Sequence, residues 1–460
     1  MGAFPYHEQF DTHWTLPEAG LDRKTILSML SSMSKAENRA WESGQCSGTM
    51  YCGDHEHYDF LNEAFSYFSY VNSLQRDLCP SATKFEAEII AMTLNLLGAP
   101  HVKGTDPVGL ITSGGSSSIA HAVLAYRDMN HATITRPNII KPATAHPAFD
   151  KAGHLFGVDV RTAPIDPVTT RVDIDWVRDH IDHNTVALIG SASNYGYGTI
   201  DPIRELGVLA LEHGIGLHVD GCLGGFILPF GRELGYDIEP FDFSVPGVTT
   251  ISADSHKYGY ALKGASVLCF AERALRNSQY FYLTDWSGGK YCSPGMDGSR
   301  SGGLLAATWA AMIHLGRSGY RRYAEEIFST SAAMQATVRS HSSLRILGTP
   351  SFLFSFTADD YDVYHVNDFL RTRGWRLNGQ QYPNALHMAV TRPQTQPGLT
   401  QRWNDDLADA VEYAIAHRDD APQSGAIYGG AEGGSNDEVD AIVKFFMTDM
   451  MDAQSELPPR

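Results

Sequence analysis

The sequence predicts an α/β protein: a mostly parallel central sheet with helices on both faces, followed by a small C-terminal α+β domain. Three features predict it. From about residue 81, strand-length apolar runs alternate with amphipathic stretches of helical period, the pattern of a parallel sheet laid down as strand–helix repeats. One such strand, Val108-Gly109-Leu110-Ile111-Thr112, passes through a turn of small residues, 113–118, into a helix. Further on, the polar tract Ser252-Ala253-Asp254-Ser255-His256-Lys257-Tyr258-Gly259 lies between two apolar runs, 248–251 and 265–270.

The chain has 460 residues, 43% of them hydrophobic, enough for a large core and two or three domains. Its formal charge of −18, with no long Lys/Arg run, argues against nucleic acid as a main partner. A local pair of basic groups could still receive an anionic small molecule. No apolar run reaches the roughly 20 residues needed to span a bilayer, and the N-terminus lacks the basic and apolar regions of a signal peptide. The six cysteines, at 46, 52, 79, 222, 269 and 292, form no CxxC pair. They read as reduced thiols of a cytosolic protein rather than as a zinc site or a disulfide framework.

Residues 1–80 read as an N-terminal extension of helices and loops. It holds a small-residue loop, 44–50, ending in Tyr51, then Asp54-His55-Glu56-His57. Alternating histidines can ligate a metal, but no third ligand is evident, so a solvated polar segment is the better reading and no metal is expected. Aromatics at helical spacing from Phe60 to Tyr70 read as packing. Residues 81–334 form the large domain. It has a helix over 84–97, the strand 108–112, a helix to about Tyr126, a strand end at His146, a strand over 186–191, a helix over 203–213 and a strand over 217–220 ending in Asp220. Beyond Lys257, stretches 285–291 and 298–303 read as loops before a long helix from about Leu304. Residues 335–460 form the small domain, with a strand pair within 344–356, a helix over 363–373, a strand over 385–390, a helix over 403–417 and a last acidic helix with a frayed tail.

Strand, small-residue turn, helix is the geometry that sets backbone N–H groups and hydroxyls on a phosphate, although many such turns are only tight turns. Enclosing an ammonium is costly unless it is paired or chemically committed, and alone Lys257 reads best as a salt-bridged core lysine. A commitment that fits is a Schiff base to pyridoxal 5'-phosphate (PLP), with burial lowering the amine pKa and freeing the nucleophile. A carboxylate such as Asp220 could merely cap a turn; beside a PLP pyridine nitrogen it would keep that nitrogen protonated. Taken together, the turn, the strand-end histidine, the aspartate and then His-Lys resemble a fold-type I PLP enzyme.

The closest resemblance is to the sphingosine-1-phosphate lyases. It rests on His218-Val219-Asp220-Gly221-Cys222-Leu223-Gly224-Gly225-Phe226, on residues 252–264, on 282–303 and on Ala426-Ile427-Tyr428-Gly429, and it runs from about Ser47 to Gly430. The wider relatives are the group II amino-acid decarboxylases. The resemblance implies that Lys257 bears the cofactor, Asp220 pairs the pyridine nitrogen and His146 stacks on the ring. Gly115, Ser116, Ser117 and His256 would hold its phosphate. Gly298 and Ser299 would reach the cofactor phosphate of a neighbouring subunit, which implies a homodimer with shared active sites. Tyr51, Tyr195, Lys263 and Tyr428 would line the substrate site, Tyr51 and Tyr195 as catalytic groups and Lys263 facing the substrate phosphate.

The implied reaction is retro-aldol cleavage of a phosphorylated long-chain amino-alcohol to a fatty aldehyde and phosphoethanolamine, in the cytoplasm. The alternative is a PLP-dependent decarboxylase or aldolase acting on a smaller amino acid. It stays open because this chain reads Asn72-Ser73-Leu74-Gln75-Arg76-Asp77 where the lyases usually carry a histidine at the fourth position. Gln75 neither titrates nor carries charge; Arg76 could restore charge if it points the same way. The usual Gly-Thr-Glu-Ser of the phosphate turn is here Gly115-Ser116-Ser117-Ser118, which keeps hydroxyls and backbone donors.

Overall fold

The computed structural model describes residues 4–99, 104–425 and 437–457. In chain order, α1 (Arg23–Glu42), α2 (His55–Ser66) and α3 (Pro80–Leu96) precede the sheet. Then follow β1 (Val108–Thr112), α4 (Gly115–Asn130), β2 (Asn138–Pro142), α5 (Ala148–Phe156), β3 (Asp159–Ala163), α6 (Ile174–His180), β4 (Thr185–Ser191), α7 (Ile203–His213) and β5 (Gly216–Asp220). Next come α8 (Leu228–Glu233), β6 (Thr250–Ala253), β7 (Ser266–Phe270), α9 (Arg273–Ser278), a short hairpin of β8 (Phe281–Leu283) and β9 (Tyr291–Ser293), and α10 (Gly302–Ser340). The last part holds β10 (Leu344–Ile346), β11 (Leu353–Ala358), α11 (Tyr364–Thr372), β12 (Asn378–Gln380), β13 (Ala385–Ala389), α12 (Leu399–Ala416) and α13 (Asp437–Ser455).

Seven strands form the main sheet in the order β1-β7-β6-β5-β4-β2-β3. From β6 to β3 the neighbours are parallel, while β7 runs antiparallel to both β6 and β1. Strands β1, β2, β4, β6 and β7 are buried at every position, as strands covered by helices on both faces must be. The predicted α/β class is therefore the observed one. A separate four-stranded antiparallel sheet, β10-β11-β13-β12, carries α11 and α12. Gly216 opens β5 because the Tyr126 ring occupies the space where its Cβ would stand, 2.1 Å from the nearest ring atom. That ring threads its hydroxyl to Thr249 and Thr250 at the start of β6.

Three local expectations change. Residue 291 belongs to a hairpin strand rather than to a loop, because 281–283 pairs with 291–293. Asp54 caps α2 by accepting the N–H groups of Glu56 and His57. His57 is not solvated: it is buried, with Nε2 2.8 Å from the Tyr260 carbonyl, while His55 meets Glu42. Among the 60–70 aromatics, Phe68 packs edge-on to Phe85 at 5.0 Å, but Tyr67 and Tyr70 stand exposed. Helix α10 is interrupted at Gly316, whose φ of 55° and ψ of 179° are not helical.

The loop that follows α1 is sewn into the small sheet. Ser47 N–H donates to the Arg376 carbonyl and Gly48 N–H to that of Ala389. Gln394 reaches back to the carbonyls of Gly44 and Cys46, Thr391 to that of Met50, and the Arg392 N–H to that of Tyr51. Tyr51 thus takes its place from residues more than three hundred positions away.

Candidate active site

A cavity of about 670 Å³ opens where the loops after β1, β2, β5 and β6 converge, the end of a parallel sheet where α/β proteins bind ligands. Its floor is the first turn of α4. Gly114 caps that helix with φ 151°, a conformation open to glycine, and Ser118 N–H is the first to find the Gly114 carbonyl. The N–H groups of Gly115, Ser116 and Ser117 therefore open the helix without an intrahelical acceptor, beside two hydroxyls, as an anion cradle requires. Gly115 has no room for a side chain: a Cβ would stand 2.6 Å from Asp254 Oδ2 and 2.9 Å from Cys222 Sγ. His256 closes the cradle. Its Nδ1–H donates to the Ala265 carbonyl at 2.6 Å, which turns Nε2 away from that carbonyl, and the residue lines the cavity.

At the other side Asp220 ends β5. One oxygen accepts from Cys222 N–H at 3.0 Å and from Ser252 Oγ–H at 3.2 Å. Behind it a buried chain runs through Ser252, His218, Thr250 and Tyr126. This network fixes the carboxylate and leaves its second oxygen for the cavity. His146 stands exposed in the cavity wall, with Nδ1 accepting from Ala148 N–H at 3.1 Å.

Lys257 lines the same cavity as the cradle and Asp220, yet its state differs from expectation. Burial does pull its amine downward, but the Asp254 carboxylate outweighs burial and the net shift is upward. The reason is Asp254, a residue that sequence reasoning passed over although it lies three positions earlier in the same tract. Asp254 is 1% exposed; Lys257 Nζ is 2.8 Å from its Oδ2 and His256 Nε2 is at 3.8 Å. Neither oxygen receives a well-aligned hydrogen bond among the described residues. An anion cradle, a fixed carboxylate and an amine ion-paired to a second, buried carboxylate line one cavity and fit PLP.

The other predicted residues fall in three places. Tyr51 and Lys263 form one group: Lys263 Nζ sits 4.5 Å over the Tyr51 ring and donates to the Thr49 carbonyl at 3.0 Å. Burial pushes the Tyr51 phenol up to about 12, with Lys257 opposing. Lys263 as a whole is exposed, but desolvation of its amine, aided by the Lys257 charge, brings it down to about 8. Tyr195 packs 4.5 Å from the His387 ring, its phenol raised by burial and lowered in part by Lys257. Tyr51, Lys263 and Tyr195 thus share the electrostatic surroundings of Lys257.

Gln75, Gly298 and Ser299 lie elsewhere, exposed and outside the cavity lining. Ser299 Oγ accepts from Asn72 Nδ2 at 2.9 Å. Arg76 does not replace a missing charge beside Gln75, since its guanidinium is bound to Glu86, which Arg300 also holds at 3.1 Å. Burial alone would raise the Glu86 carboxyl, but Arg300 and Arg76 hold it below the usual range. Tyr428 lies outside the described residues. Met296 and Asp297, which also line the cavity, carried no signal in the sequence.

Fold and site define a PLP-dependent enzyme of the decarboxylase type, and residues 15–352 match the pyridoxal-dependent decarboxylase conserved domain. A sphingosine-1-phosphate lyase of Dictyostelium discoideum is 40% identical over 424 residues, covering 92% of this chain and 79% of that protein. One of Arabidopsis thaliana is 42% identical over 409 residues, covering 87% and 74%. The solved structure of a Burkholderia pseudomallei sphingosine-1-phosphate lyase superposes with a TM-score of 0.92 at 53% identity, covering 99% of this chain and all of that one. The chain belongs to the sphingosine-1-phosphate lyase family.

Proposed function

We propose that the protein cleaves phosphorylated long-chain amino-alcohols between C2 and C3, releasing a fatty aldehyde and phosphoethanolamine, with PLP held on Lys257. The observation that supports this reading is that Lys257, the α4 cradle and Asp220 line one cavity. When bound, PLP supplies an electron sink for the pair left at C2 as the bond breaks. The chain's own residues do the rest. The turn at Gly115, Ser116 and Ser117, with His256, holds the cofactor phosphate; an anion at Nε2 favours the imidazolium form that can donate to it. Asp220 keeps the ring nitrogen protonated, and His146 covers the ring face. Tyr51, buried and held protonated, and Tyr195 serve as proton donors near the reacting carbons. Lys263 receives the substrate phosphate, and Gln75 borders the substrate. Gly298 and Ser299, exposed and outside the lining of their own cavity, complete the phosphate site of a second subunit in a cytoplasmic homodimer.

The direct test is incubation with sphingosine-1-phosphate, assaying aldehyde and phosphoethanolamine together. Both are expected in equal amounts. Carbon dioxide from amino acids with no aldehyde formed would move the protein to the decarboxylases instead. The substrate is a long-chain amphiphile and is offered in detergent or on vesicles; among the described residues no helix is long and apolar enough to cross a membrane.

A pH profile tests Lys263. It must be cationic to hold a phosphate, and its pKa of about 8 means the cation is present below that value and lost as pH rises through it. The window moves upward once Lys257 no longer carries its own charge. KM is therefore expected to climb on the alkaline side, by up to about tenfold per pH unit, with kcat little changed. Lys263→Met is expected to show a high KM at every pH. An alkaline limb that survives in this variant would assign it to another group.

A further inference from the structure

The loop that carries Met296 and Asp297 into the cavity wall is held by one side chain of α4. His121 is 1% exposed and makes two close contacts, with Ser117 Oγ farther from Nδ1 at 3.4 Å. Its Nδ1 is 2.7 Å from the Ser117 carbonyl, so that nitrogen carries the proton and donates. Its Nε2 accepts the Met296 N–H at 3.1 Å, which leaves it no proton of its own. The two bonds together fix the neutral Nδ1–H tautomer. Gly295 lies against the ring, where an added Cβ would stand 2.7 Å from Nε2. Ser293 Oγ–H donates to the Gly295 carbonyl at 2.6 Å and stiffens the approach. A few residues on, Asn72 and Glu86 pin Ser299 and Arg300. The loop is thus fastened at both ends, and its first fastening is the turn that cradles the cofactor phosphate.

We propose that His121 is a positioning residue for PLP: neutral, it ties the loop at 295–297 to the first turn of α4, so that the cavity wall and the phosphate cradle keep one geometry. This rests on the cofactor reading given above. Ser117, whose carbonyl takes the Nδ1 proton, is itself a cradle residue, so loosening the loop and loosening the cradle are one event. A proton on Nε2 would set two N–H groups against each other and release Met296. The charged groups facing the ring are Asp297, which favours that proton, and Arg300, which opposes it; burial opposes it most. The tie therefore holds at neutral pH and fails only on the acid side, below the ordinary histidine range.

Two variants separate the two bonds. Asparagine can offer an N–H where Nδ1 stands but has nothing to reach Met296; glutamine places an acceptor near Nε2 and does not titrate. Purified protein stripped of PLP is titrated with PLP and followed by the visible band of the lysine-bound cofactor, with hydrogen–deuterium exchange read over residues 293–300. His121→Asn is expected to weaken PLP binding about tenfold, the cost of a buried N–H left without its acceptor, and to speed exchange in the loop. His121→Gln is expected to stay within about threefold of the parent and to lose the part of the acid-side weakening that the parent shows. A folded His121→Asn protein with parental affinity and exchange would overturn the proposal. If that variant does not fold, an acid limb in His121→Gln identical to the parent's would overturn it as well. Failure of the parent to bind PLP would instead strike the cofactor reading, and the exchange rates would still decide whether the tie exists.

Discussion

Replacing Lys257 with alanine is expected to remove the visible band of bound cofactor and to lower turnover by at least about 10³-fold, as losing a covalent catalytic group does. The variant also has a structural consequence. Asp254 is buried, and Lys257 is the cation at 2.8 Å. Taking away one partner of a buried pair costs up to about 3–5 kcal/mol; the lysine side chain is 24% exposed, so the lower part of that range is expected. Lys257→Ala without cofactor should unfold at lower denaturant than the parent, and adding Asp254→Asn should recover most of the loss without recovering activity. Retained turnover in Lys257→Ala would remove the basis of the functional reading. A double variant no more stable than the single would show that Asp254 does not depend on this amine.

The second large effect is expected at Asp220. Asparagine keeps the oxygen that accepts from Cys222 and Ser252, so the β5 end and the network behind it should survive. What it loses is the charge proposed above to keep the pyridine nitrogen protonated. A buried charge pair of this kind is worth about 3–5 kcal/mol when broken, about two to four decades in rate. Asp220→Asn should therefore bind PLP and keep its stability while kcat falls by that amount. A loss of stability comparable to that of a core deletion, with kcat per folded molecule unchanged, would make Asp220 a structural residue only.

Much of this fold was legible because its signals are local. The strand at 108–112, the helix at 203–213 and the strand ending at Asp220 follow from apolar periodicity and the residues that bound it, and the α4 turn follows from two glycines and four serines. The missed elements are those whose pattern is set by neighbours. Strand β3, Asp159–Ala163, is a sheet edge with mixed exposure, so its sequence lacks the apolar run of a central strand. The β8–β9 hairpin is too short to show a period. Within the site, the order of His146, Asp220 and Lys257 along the chain was readable; the ion partner of Lys257 was not. Burial of an amine predicts a lowered pKa only if no carboxylate comes with it, and that is decided by how residues 254–257 turn. Arg76 teaches the same point, since a charge one position from Gln75 is of no use there once Glu86 has taken it.

The stitching of residues 44–51 to the small sheet has a consequence for how the protein is made. Met50 finds Thr391 across 341 positions, and a ribosome adding about 5–20 residues per second needs roughly 17–70 s to cover that distance. For that interval the nascent polypeptide carries Tyr51 with no dock. Seating of Tyr51 therefore waits for the small sheet, and a message truncated between codons 257 and 391 would yield a product that contains Lys257 and lacks the residues that hold the 44–51 loop.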